Sequence, residues 1–291
     1  MRLYSARLAR QLRLWERTLP SGGASRHPDQ VVSRWTRVGN LRIHHRASTH
    51  PVPPDAPTVV LVHGMVVSSR YMVPTLLLLA RSARVLAPDL PGYGLSDDPP
   101  RPLKDVSALA DALAEWMEAA GLERAVLLGN SLGCQTLAAF GVRHPERTEG
   151  LVLQGPTTDP EARTAWKQIA RWLANGPRER PLQLPIMVRD YWEAGFRRSL
   201  LTLRMALEHP IEDELPHIQA PTLVVRGSRD PIVPQRWAEQ VARLLPRGRL
   251  VVIPGGAHTV NFSAPLELVR VVEPFLRELR AGAGSERTAH P

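Results

Sequence analysis

The segment Gly129-Asn130-Ser131-Leu132-Gly133 lies between an apolar run at 125–128 and a run of helical pattern at 132–143. It fits G-x-S-x-G in a strand–tight turn–helix context, where a strained backbone holds the serine hydroxyl clear of the sheet. Glycine is needed on both sides because a side chain there would collide with neighbouring backbone. The N–H of Leu132 is directed to the same space and can stabilise an oxyanion. This pattern predicts Ser131 as a nucleophile, with a tight turn of no chemical role as the alternative.

Strands and helices alternate along most of the chain. The pattern predicts eight strands, at 31–38, 41–47, 58–62, 84–87, 125–128, 151–153, 222–225 and 250–253. The first two flank Gly39-Asn40, a pair that suits a two-residue hairpin. The later strands are apolar throughout and are separated by helical patterns, which indicates a mostly parallel sheet covered by helices on both faces.

The alternation stops between residues 156 and 218. This segment is rich in proline, arginine and aromatic residues, and we interpret it as a helical cap over a site. Residues 26–155 and 219–280 then form the core. At the carboxyl terminus, residues 281–291 are predicted to be a disordered tail.

Residues 1–25 are predicted to be an amphipathic helix and a flexible linker. Apolar side chains recur at spacings of four and three within residues 1–20, and arginines fall on the opposite side. A helix docked on the body of the protein, on a partner subunit or at the mouth of the site is the preferred interpretation. Peripheral contact of residues 1–20 with an anionic membrane is the alternative.

Charge and composition limit the classes of partner and the compartment that we expect for the protein. The net charge of +9 raises the question of nucleic-acid binding, but the arginines are scattered without a dense run, so we expect no nucleic-acid partner. A single cysteine, Cys134, excludes an intrachain disulfide. No apolar run approaches the roughly 18 residues of a membrane span, and no signal-peptide pattern opens the sequence. We therefore expect a cytoplasmic protein.

Two further loops complete a constellation with Ser131. Asp230 lies in Gly227-Ser228-Arg229-Asp230-Pro231 after one predicted strand, and His258 lies in Pro254-Gly255-Gly256-Ala257-His258 after the next. Loops at the carboxyl ends of parallel strands converge on one edge of a sheet. An imidazole there can take the serine proton and return it to a leaving group, while a carboxylate orients the ring. Asp159 is an alternative acid, and it otherwise suits a helix N-cap.

Over residues 31–280, the chain resembles proteins of the α/β-hydrolase fold that carry a cap, with Ser, Asp and His in that family's order. The resemblance implies a serine hydrolase without cofactor or metal. It also implies that the N–H groups of Met65 and Leu132 form the oxyanion hole, since His63-Gly64 is similar to the family's oxyanion motif. The segment 89–96 resembles the family's D-x-x-G-x-G-x-S loop, which shapes the site.

A carboxylesterase acting on a small to medium hydrophobic ester is the predicted function. Family members that hydrolyse haloalkanes or epoxides use aspartate as nucleophile, so Ser131 argues against both activities. Hydrolases that cleave C–C bonds in ring-fission products remain an alternative on account of Asn130. Their glycine-rich oxyanion loop is replaced here by Met65-Val66-Val67. Haloperoxidase-like or acyltransferase members and a ligand-binding module that keeps the triad also stay open.

The substrate contacts predicted from the sequence are Gly64, Trp166, Trp172 and Trp192. The three tryptophans lie in the cap, where they either contact a hydrophobic substrate or pack the cap on the core. Arg70 is interpreted as a surface arginine and Cys134 as a small packed residue. The sequence predicts neither the identity of the substrate nor the oligomeric state.

Overall fold

The computed structural model describes residues 30–288, so the helix and linker predicted for residues 1–25 lie outside the described residues. A sheet of eight strands forms its centre, in the order β1-β2-β4-β3-β5-β6-β7-β8. The strands are β1 Val31–Val38, β2 Leu41–Ser48, β3 Thr58–Val62, β4 Arg84–Pro88, β5 Ala125–Asn130, β6 Thr148–Gln154, β7 Thr222–Gly227 and β8 Gly248–Ile253.

The sheet begins as an antiparallel hairpin and continues as a parallel sheet. β1 and β2 pair up to Val38 and Leu41, on either side of the turn at Gly39-Asn40. Gly39 has a φ of 55°, which glycine adopts without strain. β2 runs antiparallel to β4, and the remaining neighbours in the order are parallel. The predicted α/β fold with a mostly parallel, eight-stranded sheet is confirmed.

Nine α-helices are found within residues 30–288. They are α1 Val73–Leu79, α2 Val106–Ala119, α3 Leu132–Arg143, α4 Ala165–Asn175, α5 Leu184–Glu208, α6 Ile211–Glu214, α7 Gln235–Leu244, α8 Val260–Ser263 and α9 Pro265–Thr288. A 3-10 turn at Ser69–Met72 precedes α1, which starts at Val73. Pro74 explains this start, because a proline without an N–H suits only the first turn of a helix.

Successive side chains of a strand point to opposite sides of the sheet. Both sides are buried because helices pack on each face. Val60 and Val62 belong to one core cluster with the inner faces of α2, α3 and α7. Val59 and Leu61 belong to a second cluster with α1 and α9. Helices on both faces therefore leave the ends of the parallel strands as the place where loops can build a site.

Residues 156–218, predicted as the cap, contain α4, α5, α6 and short 3-10 turns, and no strand. The segment connects β6 to β7, whose strands are neighbours in the sheet. Within α5, Gly195 has φ 73° and ψ 163°, so the helix is interrupted at that residue. A positive φ is accessible to glycine at little cost, which explains why the break occurs there.

The disordered tail predicted for residues 281–291 overlaps the end of α9. α9 continues to Thr288. Each residue added to an existing helix gains a backbone hydrogen bond, and no proline follows Leu279 before residue 291 to stop the helix. Residues 289–291 lie outside the described residues.

Candidate active site

Ser131 occupies a strained turn between β5 and α3. Its φ of 58° and ψ of −119° lie in a region that residues other than glycine rarely adopt. A Cβ at Gly129 would lie 2.6 Å from the Gly133 carbonyl, and one at Gly133 would lie 2.5 Å from the Val62 carbonyl oxygen. Both glycines are therefore required by close backbone approach, as the sequence pattern indicated.

His258 and Asp230 meet at this edge of the sheet. Nδ1 of His258 lies 2.8 Å from Oδ2 of Asp230, and both side chains are buried. The other carboxylate oxygen accepts hydrogen bonds from the N–H groups of Ile232 and Val233, at 2.8 and 3.1 Å. These contacts hold the carboxylate in place and fix which nitrogen of the imidazole it faces.

The environment of His258 favours its protonated form. Burial alone lowers the pKa of His258, but the charge of Asp230 and the hydrogen bond to it outweigh burial, and the pKa is raised. Nε2 of His258 is buried and makes no hydrogen bond with any described residue. Ser131 and His258 line the same cavity. Nε2, the ring nitrogen without a hydrogen-bond partner among the described residues, is therefore the one available to accept the hydroxyl proton of Ser131.

Asp159, the alternative acid, has other partners. Its carboxylate accepts hydrogen bonds from Arg171 at 2.8 Å and from Arg236 at 2.7 and 3.1 Å. It also accepts from the N–H of Glu161, and so caps the 3-10 turn that opens the cap. Two arginines compensate its charge, and among the described residues it forms no hydrogen bond with His258.

The backbone amides predicted for an oxyanion hole belong to residues that line the cavity, Met65 and Leu132. Leu132 is the first residue of α3, where an N–H has no helical partner. Beside Met65, Val66 has a φ of 56°. Val66 and Ser131 are the two residues other than glycine with positive φ within residues 30–288, and both adjoin the site. Strain of this kind, for a β-branched residue above all, is concentrated at functional sites.

A chain of buried hydrogen bonds joins the oxyanion segment to the loop of His258. The N–H of Gly64 donates to the hydroxyl of Tyr71 at 2.7 Å, and that hydroxyl donates to Oδ1 of Asn130 at 2.9 Å. The amide of Asn130 donates to Oε1 of Gln154 at 2.8 Å. The amide of Gln154 then donates to the carbonyl of His258 at 2.7 Å. Because these polar groups are buried, the loss of any one of the hydrogen bonds would leave a partner unsatisfied and cost free energy. The linked hydrogen bonds therefore fix the oxyanion segment relative to the loop of His258.

Asp89 connects three segments beneath the site. Its carboxylate accepts from the N–H of Ser69 at 2.6 Å, from the N–H of Leu95 at 3.0 Å and from Nδ1 of His44 at 2.7 Å. Burial raises the pKa of Asp89, but the hydrogen bond and charge of His44 outweigh burial and lower it. A Cβ at Gly94 would lie 2.3 Å from this carboxylate, so the loop 89–96 closes tightly around it.

The cavity at the site has a volume of about 90 Å³. From the core it is lined by Gly64, Met65, Asn130, Ser131, Leu132 and His258. From the cap it is lined by Gln168, Trp172, Met187 and Tyr191. Most of these groups are apolar, and no Arg, Lys, Asp or Glu belongs to the lining within residues 30–288.

Two of the three predicted tryptophan contacts are not brought to the site. Trp172 lines the cavity, and its ring centroid lies 6.2 Å from that of Tyr191. Trp166 and Trp192 are 67% and 87% exposed and are absent from the lining. The aromatic content of the cap gave no means of separating the inward ring from the outward ones. Tyr191 of the lining was missed for the same reason, and Met187 of the lining was also not predicted.

Arg70 is buried, so its interpretation as a surface arginine is wrong. Its guanidinium forms an ion pair with Asp190 of α5 and donates to Glu193 at 2.7 Å. Asp190 also accepts from the N–H and hydroxyl of Ser68, at 2.9 and 2.8 Å. Burial lowers the pKa of Arg70, but Asp190 and Glu193 outweigh burial and raise it. The cap is thereby attached to the segment that follows the candidate oxyanion hole.

A second attachment joins the cap to the loop of His258. Glu179 accepts from the N–H of Thr259 at 2.7 Å and from its hydroxyl at 2.6 Å. Asn175 accepts from the N–H of His258 at 3.3 Å. The cap therefore contacts both the oxyanion segment and the histidine loop, and a displacement of the cap would disturb both.

Cys134 lies one turn after Ser131 and is fully buried. Burial raises the pKa of its thiol well above the ordinary value, so the thiol stays protonated and is a poor nucleophile. Between residues 30 and 288 no group of three side chains suited to hold a metal ion is found. In the same part of the chain, each helix is too short or too polar to cross a membrane.

Known proteins resemble this chain in sequence and in structure. The sequence model of the alpha/beta hydrolase family matches residues 59–271. The chain is 26% identical over 247 residues to a protein of Pseudomonas savastanoi named as carbamate hydrolase RutD, covering 76% of this chain and 94% of the relative. It is 28% identical over 227 residues to a 2-hydroxymuconate semialdehyde hydrolase of Pseudomonas sp. strain CF600, covering 70% and 80%. The crystal structure of a bacterial membrane phospholipase A matches with a TM-score of 0.74 at 25% identity, covering 95% and 93%.

Proposed function

The chain belongs to the alpha/beta hydrolase family, and we propose that it is a serine hydrolase that cleaves carboxylic esters of small to medium hydrophobic acids. The observation that carries the proposal is the hydrogen bond of 2.8 Å between Asp230 and His258, beside a strained Ser131 in the same cavity. A buried carboxylate on one ring nitrogen and no described partner on the other is the arrangement that a general base needs.

In this mechanism, Nε2 of His258 takes the hydroxyl proton of Ser131 as the serine oxygen attacks the ester carbonyl carbon. The carbonyl oxygen becomes an oxyanion, which the N–H groups of Met65 and Leu132 stabilise. His258 then returns the proton to the leaving alkoxide oxygen, and the C–O bond breaks to leave an acyl-Ser131. A water molecule loses a proton to His258, attacks the acyl carbon and releases the acid, and Ser131 recovers its proton.

Asp230 acts through the ring rather than on the substrate. Its charge stabilises the imidazolium that forms in each step, in agreement with the raised pKa of His258. Nε2 has no hydrogen-bond partner among the described residues, and we expect its hydrogen bond with the Ser131 hydroxyl to form when a substrate enters, since bonds of this kind are often long in unliganded sites.

The lining of the cavity supports an apolar acyl group. The side chains of Met65, Trp172, Met187 and Tyr191 offer a hydrophobic surface, and the volume of about 90 Å³ suits a compact group. Esters are consistent with the similarity to a solved structure named as a phospholipase.

Cleavage of a C–C bond in a ring-fission product is a second candidate. The similarity to a 2-hydroxymuconate semialdehyde hydrolase and the presence of Asn130 before the serine favour it. A substrate of that class carries a carboxylate, whereas the described lining contains no arginine or lysine to pair with it. Arg70, the cation nearest in sequence to the oxyanion segment, is already paired with Asp190. The lack of an unpaired cation in the described lining favours an ester substrate over a ring-fission product.

A panel of nitrophenyl esters of increasing acyl length, together with a ring-fission dienone, tests the proposal. We expect turnover of short and medium esters, and a loss of kcat on the order of 10⁴-fold or more in Ser131→Ala. Ser82→Ala is a matched control, because Ser82 donates to Glu273 and lies outside the lining. Turnover of the dienone alone would replace the ester proposal by the second candidate. Equal ester turnover by wild type and Ser131→Ala would refute both.

A further inference from the structure

Exposed apolar side chains are concentrated on the cap. Ten of the twelve large apolar side chains that are exposed in the described part of the chain lie between residues 166 and 201. Six of them are at least 60% exposed, and we call these six the cap face. They are Trp166, Leu173, Leu184, Val188, Trp192 and Phe196.

The cap face follows helical spacing. Leu184, Val188, Trp192 and Phe196 recur every fourth residue along α5, so the first three share one side of that helix before the break at Gly195. Trp166 and Leu173 are seven residues apart, two turns, on one side of α4. Two aromatic rings more than 80% exposed, on either side of the break at Gly195, form an apolar surface of the kind that marks an interaction site.

The same helices also line the cavity. Trp172 of α4 and Tyr191 of α5 face the cavity, one residue away in sequence from Leu173 and Trp192 of the cap face. Trp172 is itself 43% exposed, so the wall of the cavity reaches the surface there. Whatever covers the cap face would lie close to the entrance of the candidate active site.

Exposed arginines lie between the residues of the cap face in sequence. Residues 163–204 contain nine basic and three acidic side chains. The acidic side chains are engaged with Arg70 and Thr259. Five of the basic side chains are paired as well, mostly with carboxylates outside this stretch, such as Glu208 and Glu212. Several arginines of the stretch are exposed, among them Arg178 and Arg197. Outward-facing arginines among exposed Trp, Phe and Leu are the composition of a surface that binds anionic lipid.

We propose that the cap face docks on an anionic lipid surface, with its rings in the interfacial layer and the arginines of the cap near lipid phosphates. Aromatic rings are favoured at this depth, and long arginine side chains can place their charge among the headgroups. Docking in this orientation presents the entrance beside Trp172 to the lipid layer. The inference goes beyond the proposed function, since binding requires no turnover by Ser131.

Flotation of the full chain with vesicles tests the proposal. The vesicles contain phosphatidylcholine with an equal amount of phosphatidylglycerol, or phosphatidylcholine alone. We expect wild type to float with the anionic vesicles and weakly with the neutral ones. Trp192→Gln combined with Phe196→Gln should lower the bound fraction at least tenfold, because both side chains are more than 80% exposed and carry the contact. The circular dichroism spectrum checks that the double variant is folded.

Trp35→Gln is the matched control. Trp35 is a tryptophan of β1 that is 51% exposed and lies outside the cap. Its replacement should leave flotation unchanged, and Ser131→Ala should float like wild type even though it would not hydrolyse an ester. Lipid binding is thus measured independently of the proposed catalysis.

Three results would overturn the proposal. Wild type that floats with neither vesicle has no lipid-binding face. A double variant that floats as well as wild type would assign binding to another part of the chain, such as the basic segment at residues 1–20. A dimer in sedimentation that the double variant converts to a monomer would show that a second copy covers the cap face.

Discussion

Replacement of Arg70 by Met tests how the cap is attached to the candidate active site. Arg70 and Asp190 are 5% and 4% exposed, and they form an ion pair between the oxyanion segment and α5. Met fills a similar volume without charge. The substitution leaves the Asp190 carboxylate buried, with only the two hydrogen bonds from Ser68 to compensate its charge.

The expected cost follows from that unpaired charge. Removal of one partner of a buried ion pair costs about 3–5 kcal/mol of the free energy of unfolding. Arg204→Met is the matched control in the same cap, where Arg204 pairs with Glu208 and both are mostly exposed. An exposed pair spaced i,i+4 contributes only about 0.3–0.5 kcal/mol. The two substitutions should therefore differ by roughly 3 kcal/mol.

Urea unfolding followed by circular dichroism measures both variants, with extrapolation to zero denaturant. Adding Asp190→Asn to Arg70→Met should restore about 1 kcal/mol or more, because it removes the stranded charge while an amide oxygen can still accept from Ser68. Equal destabilisation by Arg70→Met and Arg204→Met would refute the account of the cap attachment. A double variant less stable than Arg70→Met alone would contradict the stranded-charge explanation.

Three further predictions concern the site. Tyr71→Phe removes the hydroxyl that accepts from the oxyanion segment, and kcat should fall by about 10-fold or more at unchanged fold, measured by steady-state kinetics. Gly94→Ala should destabilise by roughly 2 kcal/mol more than Gly39→Ala in urea. Both have positive φ, but only the first meets a carboxylate, so equal losses would contradict this. His258 acts as a base when deprotonated, so kcat/KM rises with pH through its pKa. Asp230→Asn should move that rise to lower pH, and an unmoved profile would exclude the coupling.

The three residues of the candidate triad could be predicted because their signals are local. Ser131 lies in a pattern of five residues, and Asp230 and His258 each follow a predicted strand by a few residues. Since the carboxyl ends of parallel strands meet at one edge of a sheet, the three residues could be placed together from the sequence alone. The motif around Asp230 already favoured it over Asp159, and the structure separates the two by their partners, His258 for Asp230 and two arginines for Asp159.

Contacts over long sequence distances could not be predicted in this way. Arg70 and Asp190 are 120 residues apart, and a single sequence contains no signal that pairs them. The direction of each cap tryptophan depends on how α4 and α5 lie on the core, so Trp172 could not be told from Trp192.

The most direct test of the central claim is to identify the residue that reacts with a fluorophosphonate. The account predicts one adduct per chain, located on Ser131 by peptide mass spectrometry, with no adduct in Ser131→Ala and slow labelling in His258→Ala. A serine activated by His258 is the physical reason for both losses. Labelling of another residue, or labelling of His258→Ala at the wild-type rate, would contradict the claim that these side chains form one catalytic unit.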